Sequence, residues 1–162
     1  MSFAAGFNPD QTFTATELET GGKGFSIGDV VEDHAGRKWI FVVADSSISA
    51  GRVCQIADDL GAAHVSTSNA ALGMRLGVAK VAIAGGSYGW LQIYGQCPAI
   101  QVGASAAANA QLNTTATAGQ LDDDGANGAA IINGIVLTTT NGGQAGTAPG
   151  VLNFPTVGPD IP

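Results

Sequence analysis

The sequence has few charged residues for its length. Asp, Glu, Lys and Arg make up 12% of its 162 residues, about half of the ~25% that is typical of soluble domains. A protein that stands alone in water normally covers its surface with such side chains. A chain with so few of them is expected either to lie in a membrane or to cover much of its surface with other protein.

Basic residues are missing from the second half of the chain. The last of the six is Lys80, and residues 81–121 carry no charge of either sign. This stretch is too long for one interior strand, so loops as well as strands avoid charge, as they do in a subunit interface. The net charge of −7 and the lack of a Lys and Arg cluster argue against direct binding of nucleic acid, because clustered cations are needed to neutralise phosphates.

Long apolar runs and a secretory signal are missing too. No stretch approaches the 18 or so consecutive apolar residues that indicate a transmembrane helix. The first residues lack the basic and continuous apolar regions of a signal peptide, so we expect no membrane partner and no secretion. The only two cysteines, Cys54 and Cys97, allow one disulfide, but without a secretory signal two reduced, buried thiols are the preferred prediction.

What the sequence does contain is a series of short β-rich runs separated by Gly. Residues 28–33 and 37–44 flank the short loop His34-Ala35-Gly36 and predict a hairpin. Both faces of the second run are apolar, which predicts a central strand. Residues 70–76 favour a helix but are too few to support one. Such spacing indicates an all-β fold, a small β-barrel, a β-tulip or a sandwich of short antiparallel strands. Further strands are predicted at residues 52–56, 63–66, 77–84, 88–95, 99–102, 119–124 and 131–140.

The chain divides into three parts. Residues 1–24 are predicted to be an extended N-terminal arm, which either packs onto a neighbouring subunit or is poorly ordered. Residues 25–137 form the β domain. Residues 138–162 are a Thr- and Gly-rich linker followed by an extended tail, because its prolines exclude a helix.

The residues that carry chemistry in enzymes are not arranged for it here. His34 and His64 have no nucleophile motif beside them, so both are interpreted as loop residues. Asp122, Asp123 and Asp124 resemble a cation-binding loop, but the spacing of a known calcium loop is absent and acidic turns are common. We therefore predict no enzyme, no catalytic residue, no metal and no cofactor.

Aromatic side chains are the better candidates for a functional surface. Trp90 and Tyr94 alternate on one predicted strand face, where they could stack on a sugar or, as we prefer, pack in the core or against another subunit. The Gly-rich residues 85–89 lack the Lys of a phosphate loop and are interpreted as a hairpin turn. The predicted interface candidates are Phe3, Phe7, Phe13, Trp90, Tyr94 and Phe154.

An ordered series of Gly-marked segments extends from about residue 24 to residue 137. It consists of residues 24–31, 36–42, 48–53, 76–79, 88–93 and 118–121. This series resembles that of small virion proteins of tailed bacteriophages, the capsid decoration or cement proteins.

The resemblance implies a protein that binds the outside of an assembled capsid and stabilises it. It implies a small β-barrel or β-tulip domain, the major capsid protein and sister copies as partners, and no catalytic residues. By analogy with that family, the expected oligomeric state is a homotrimer, and the second choice is a dimer. The expected location is the capsid exterior, after synthesis in the host cytoplasm.

Two other functions stay open at this point. The first alternative is a head-fibre or surface adhesion module that binds host glycans through Trp90 and Tyr94. The second is a hydrolase or metal-dependent enzyme that uses His34, His64 and residues 122–124, which no spacing in the sequence supports.

Overall fold

The computed structural model describes residues 7–20 and 24–162, and their regular secondary structure is almost entirely β. The single helix among them is six residues long, which is too short to be stable without packing. The prediction of an all-β fold is confirmed. The elements are α1 (Ala15–Thr20), β1 (Val30–Glu32), β2 (Lys38–Ala44), β3 (Val53–Ile56), β4 (Gly61–His64), β5 (Arg75–Ala79), β6 (Tyr88–Val102), β7 (Leu112–Thr114), β8 (Leu121–Asp122), β9 (Ala130–Leu137) and β10 (Gly146–Asp160).

The predicted hairpin is present as β1 and β2. The two strands pair antiparallel, and Gly36 in the turn between them has a φ of 75°, a conformation that Gly adopts without steric penalty. β2 is covered on both faces, because Ile40 and Val42 contact one core cluster while Trp39 and Phe41 contact another. The expectation that this strand is central is therefore confirmed.

Hydrogen bonds close the strands into two rings that share β6. The first ring runs β2–β4–β3–β5–β6 and returns to β2. The second runs β6–β8–β7–β9–β10 and returns to β6. Up to Tyr94, β6 pairs with β2, and from Tyr94 to Val102 it pairs with β10, so this 15-residue strand belongs to both rings.

Each ring has a hydrophobic core. Ile40, Ile56 and Leu91 belong to the core of the first ring, and Leu121 and Ile132 belong to that of the second. The second core also includes buried residues from β3 and β5 of the first ring: Val53, Leu76 and Val78. Burying one such side chain is worth about 1.5–3 kcal/mol, so these two cores are the main source of stability.

The N-terminal segment packs on its own domain. Phe13 and Tyr88 exchange two backbone hydrogen bonds, and the Phe7 ring lies edge-on to the Trp90 ring with 4.8 Å between centroids. Together with Trp39 and Phe41 these residues form an aromatic cluster. The N-terminal arm was predicted either to pack onto a neighbouring subunit or to be poorly ordered. Residues 7–20 instead pack on the aromatic residues of their own domain.

The C-terminal segment also differs from the prediction of a linker and tail. Residues 146–160 are extended but form β10, which lies between β6 and β9, with Leu152 and Val157 buried. Pro149 lies between residues 148 and 150, where the register with β6 shifts, and Pro155 lies in a similar shift against β9. A proline has no N–H to pair, so such irregularities are the places where a sheet accepts it.

Candidate interaction surface

Two of the predicted interface residues lie together on the surface. Tyr94 on β6 and Phe154 on β10 are 37% and 53% exposed, and their ring centroids are 5.2 Å apart. They meet because Asn153, the residue before Phe154, pairs directly with Tyr94 across the two strands. Two exposed aromatic rings in contact are unusual on a solvated surface and typical of interfaces.

Phe154 is held outward by its backbone. Its φ is 46°, a conformation that costs a bulky residue about 1–3 kcal/mol and that accumulates at functional sites. Gly134 on β9 packs so close to this bulge that a Cβ there would lie 2.6 Å from the carbonyl oxygen of Asn153. The absent side chain at Gly134 therefore makes room for the bulge that exposes Phe154.

An uncharged sheet face begins beside this aromatic pair. Gln96, Val151 and Val136 are register partners across β6, β10 and β9, and all three are exposed. The adjacent residues in these strands, Cys97, Gly150 and Leu137, are buried. We call this surface the uncharged face; its residues are Tyr94, Gln96, Pro98, Val136, Thr138, Pro149, Val151 and Asn153.

The cations that border the uncharged face already have partners. Arg37 donates through Nε to Asp33 at 2.7 Å, and its guanidinium carbon lies 5.6 Å from the centroid of the Trp39 ring. The Nζ of Lys38 lies 3.3 Å from Glu32. A partner that covers the face would therefore meet no unpaired charge from these two side chains, which removes the main cost of burying a polar surface.

Trp90 does not share this surface. It is 1% exposed, and Phe25 and Phe41 pack against it at centroid distances of 5.0 and 4.8 Å. As an interface or sugar-stacking residue it is corrected to a core residue, because the N-terminal segment covers this part of β6. Phe13 is 4% exposed and is corrected in the same way; Phe7 is half-buried in the same cluster, and Phe3 lies outside the described residues.

The two histidines have different surroundings. His64 is the last residue of β4, where it pairs with Cys54 of β3, so the prediction that it is a loop residue is wrong. His34 is exposed in the β1–β2 turn. His64 accepts a hydrogen bond from the backbone N–H of Ser49 at 3.2 Å, and burial followed by the nearby Arg52 charge lowers its pKa. This hydrogen bond ties the backbone at Ser49 to the end of β4.

The acidic run is used to build its own loop. Asp123 accepts from the backbone N–H of Ala107 at 3.1 Å, and Asp124 accepts from the Nδ2 of Asn113 at 2.9 Å. Burial, and after it the charges of its two acidic neighbours, raises the pKa of Asp122. Across residues 7–20 and 24–162, no group of three or more His, Cys, Asp and Glu side chains is placed to hold a metal ion.

Both cysteines are free and buried, as the sequence predicts. Cys54 lies in the core of the first ring and Cys97 in that of the second. Burial raises the pKa of the Cys54 thiol to about 12 and that of Cys97 to about 11, so neither is a nucleophile at neutral pH.

Comparison with family models and with curated proteins finds no match to this chain. In the part of the chain that the structure describes, no helix is long and apolar enough to cross a membrane.

The residues at the centre of the uncharged face, Val136, Val151 and Pro149, were not predicted as interface candidates. Residues 148–153 read Ala-Pro-Gly-Val-Leu-Asn, which shows no alternation of apolar and polar types. Their alternate burial arises from the pairing of β10 with β6 and β9, which no local pattern reveals.

Proposed function

We propose that this protein is a structural virion protein that binds the outer surface of a tailed-phage capsid and stabilises it by bridging capsomers. The observation that carries the proposal is the uncharged face, on which exposed Val136 and Val151 lie beside the Tyr94–Phe154 pair. A face with apolar residues at its centre and paired charges at its edge has the composition of a protein interface. The sequence resemblance supports the major capsid protein and sister copies as the partners.

The mechanism is thermodynamic and needs no catalytic residue. A protein that binds the assembled shell but not its separated subunits stabilises the shell by mass action. Many copies on one particle multiply a modest contact into a large effect. In this proposal the protein is made in the host cytoplasm, is found on the capsid exterior, and acts as a homo-oligomer, a trimer first and a dimer next.

The glycan-binding alternative has lost its basis. It required Trp90 and Tyr94 to form one exposed stacking surface, and Trp90 is enclosed by the aromatic cluster. No other observation favours a sugar over a protein partner, so we do not propose it.

Placing a charge in the middle of the uncharged face tests the proposal. The test measures how much protein binds to phage capsids from which this protein has been removed. Val151→Lys should weaken that binding by about tenfold or more, because an unpaired charge buried in an interface costs more than ~1.4 kcal/mol. Co-sedimentation with purified heads measures occupancy, and scattering during heating measures particle stability.

The matched control is Ile27→Lys, the same kind of change at a residue that is 41% exposed and lies outside the uncharged face. It should bind as the unsubstituted protein does, and both variants should unfold at the same urea concentration as that protein. Full occupancy by Val151→Lys would contradict the proposal. The mass of the free protein in sedimentation equilibrium tests the trimer and the dimer separately.

A further inference from the structure

A narrow apolar groove lies at the end of the first ring, next to Phe154. Its floor is formed by Ile40, Ile56 and Ile93, which are core residues of that ring, and its volume is about 240 Å³. Val30 and Phe154 form its rim, and each is 53% exposed. The groove thus reaches down to the hydrophobic core of the first ring at this end.

The size of the groove restricts what can fill it. Pockets that enclose drug-sized ligands or cofactors measure about 300–1,000 Å³, so this one is smaller than that range. Its walls are apolar apart from one basic residue. It suits one large apolar side chain presented by another protein.

The basic residue at the groove is Arg75, at the start of β5. Its side chain is exposed, and within the described chain it has no hydrogen bond or ion pair. The other described basic residues use their charged groups within the domain: Arg37 with Asp33, Lys38 with Glu32, Lys80 with Asp10, and Arg52 with the carbonyl oxygen of Ala118. Asp58 borders the adjoining hollow but does not pair with Arg75.

An unpaired guanidinium beside an apolar groove indicates the chemistry of the occupant. The planar fork of Arg binds a carboxylate through two parallel hydrogen bonds. The strained bulge that holds Phe154 at the rim keeps one wall of the groove in place independently of any occupant.

We propose that this groove binds an extended segment of a partner protein in which a large apolar side chain stands next to an Asp or Glu. The apolar side chain fills the groove over Ile40, Ile56 and Ile93, and the carboxylate pairs with Arg75. The groove adjoins the uncharged face and shares Phe154 with the aromatic pair beside it. The proposal rests on the groove and Arg75 and does not depend on capsid binding.

Three blocked hexapeptides with Ser-Gly flanks test the proposal on the full-length protein: one with Phe-Asp at its centre, one with Phe-Asn and one with Ala-Asp. At about 1 mM, the Phe-Asp peptide should shift the backbone amide resonances of Val30, Arg75 and Phe154 in ¹⁵N–¹H spectra. The Phe-Asn peptide should bind about two- to fivefold more weakly, as expected for loss of a solvent-exposed ion pair. The Ala-Asp peptide should produce no shifts in the groove.

Variants then assign the two halves of the contact. Arg75→Gln should bind the Phe-Asp and Phe-Asn peptides equally, whereas Lys80→Gln, which removes the same charge outside the groove, should still distinguish them. Phe154→Ala should weaken both. Urea unfolding of each variant establishes that it is folded.

Several results would overturn the proposal. These are no groove shifts with the Phe-Asp peptide, equal binding of Phe-Asp and Phe-Asn by the unsubstituted protein, or phenylacetate binding as tightly as the peptide, which would indicate a small-molecule site. Groove shifts that appear when the protein alone is concentrated would assign the groove to a second copy instead.

Discussion

Asp33 is the most fully hydrogen-bonded carboxylate at the β1–β2 turn. It is 5% exposed and accepts from the backbone N–H groups of Ala35 and Arg37, from Nε of Arg37 and from Nε1 of Trp39, at 2.7–3.1 Å. Burial alone would raise its pKa, but the bonds from Trp39, Arg37 and Ala35 more than compensate, and the net pKa lies below its ordinary value. The turn is therefore held by an ionised carboxylate.

Replacing this carboxylate with an amide should weaken the fold in a pH-dependent way. Asp33→Asn should lower the free energy of unfolding by about 1–3 kcal/mol at neutral pH, because one buried oxygen acceptor and the charge are lost. Since the folded pKa is depressed, the carboxylate stabilises the fold above its unfolded pKa of about 3.9 and loses that effect as the pH falls through the folded value.

Urea unfolding at about pH 7 and below about pH 4 measures this difference, which should shrink in acid. Glu32→Gln is the control, because the Glu32–Lys38 pair is largely solvated and such pairs contribute less than about 1 kcal/mol. A difference between Asp33→Asn and the unsubstituted protein that does not change with pH would contradict the assignment.

Among the elements, the N-terminal segment is the one whose role the structure changes most. Phe13 packs edge-on to Phe41, with 5.9 Å between ring centroids, and is 4% exposed. Phe13→Ala should lower the free energy of unfolding by about 3–5 kcal/mol, as large-to-small changes of buried aromatic residues do. It should also shift tryptophan emission to longer wavelength, because Trp39 and Trp90 lie in the same cluster.

The control is the same substitution at an exposed position. Phe154→Ala removes a ring that is half in solvent, so it should change stability by about 1 kcal/mol or less and leave the emission unchanged. If both variants were equally stable, the N-terminal segment would not be part of the fold in solution.

The sequence predicted elements where residue type and periodicity agree. β2 was predicted because Trp39, Phe41 and Val43 alternate with Ile40 and Val42, and both faces are apolar. β6 was divided into two strands at Cys97-Pro98, yet it continues through Pro98 and pairs with β10 along this half. β10 was predicted as a tail, since local proline signals cannot show that a distant pairing with β6 and β9 places each proline at an irregularity.

The candidate site was predictable only in part, because it too depends on a pairing between strands that are distant in sequence. Tyr94 and Phe154 were each identified from residue type, but their contact depends on the β6–β10 pairing, which no local pattern reveals. Strand alternation placed Trp90 and Tyr94 on one face. The alternation is broken before Tyr94, because Gln92 pairs with Trp39 but Tyr94 pairs with Lys38, which leaves Ile93 as an extra residue in β6. Trp90 therefore lies in the aromatic cluster while Tyr94 is exposed.

For the whole molecule, the distribution of charged residues differs between the two rings. Beyond Lys80 the only charged residues are Asp122, Asp123, Asp124 and Asp160. Residues 122–124 lie in or beside β8, and Asp160 is the last residue of β10. The second ring thus carries its charge in one acidic loop and at one strand end, away in sequence from Gln96, Val136 and Val151, while the ion pairs Arg37–Asp33 and Lys38–Glu32 belong to the β1–β2 hairpin.

The two rings should nevertheless unfold together. They share β6, and β5 of the first ring pairs with β10 of the second at Arg75 and Thr156, so neither ring closes alone. Both tryptophans belong to the aromatic cluster on the first ring, whereas far-ultraviolet circular dichroism reports the strands of both. In urea the two signals should follow one coincident transition, as for a two-state domain.

A substitution in the second ring provides the stronger test of that coupling. Leu121 is fully buried in the second core, so Leu121→Ala should lower the free energy of unfolding by about 2–5 kcal/mol. If the rings are coupled, the tryptophan signal of the first ring should move to lower urea by the same amount as the circular dichroism signal. A tryptophan midpoint that stays in place while the circular dichroism curve becomes biphasic would show that the shared strand does not transmit the loss.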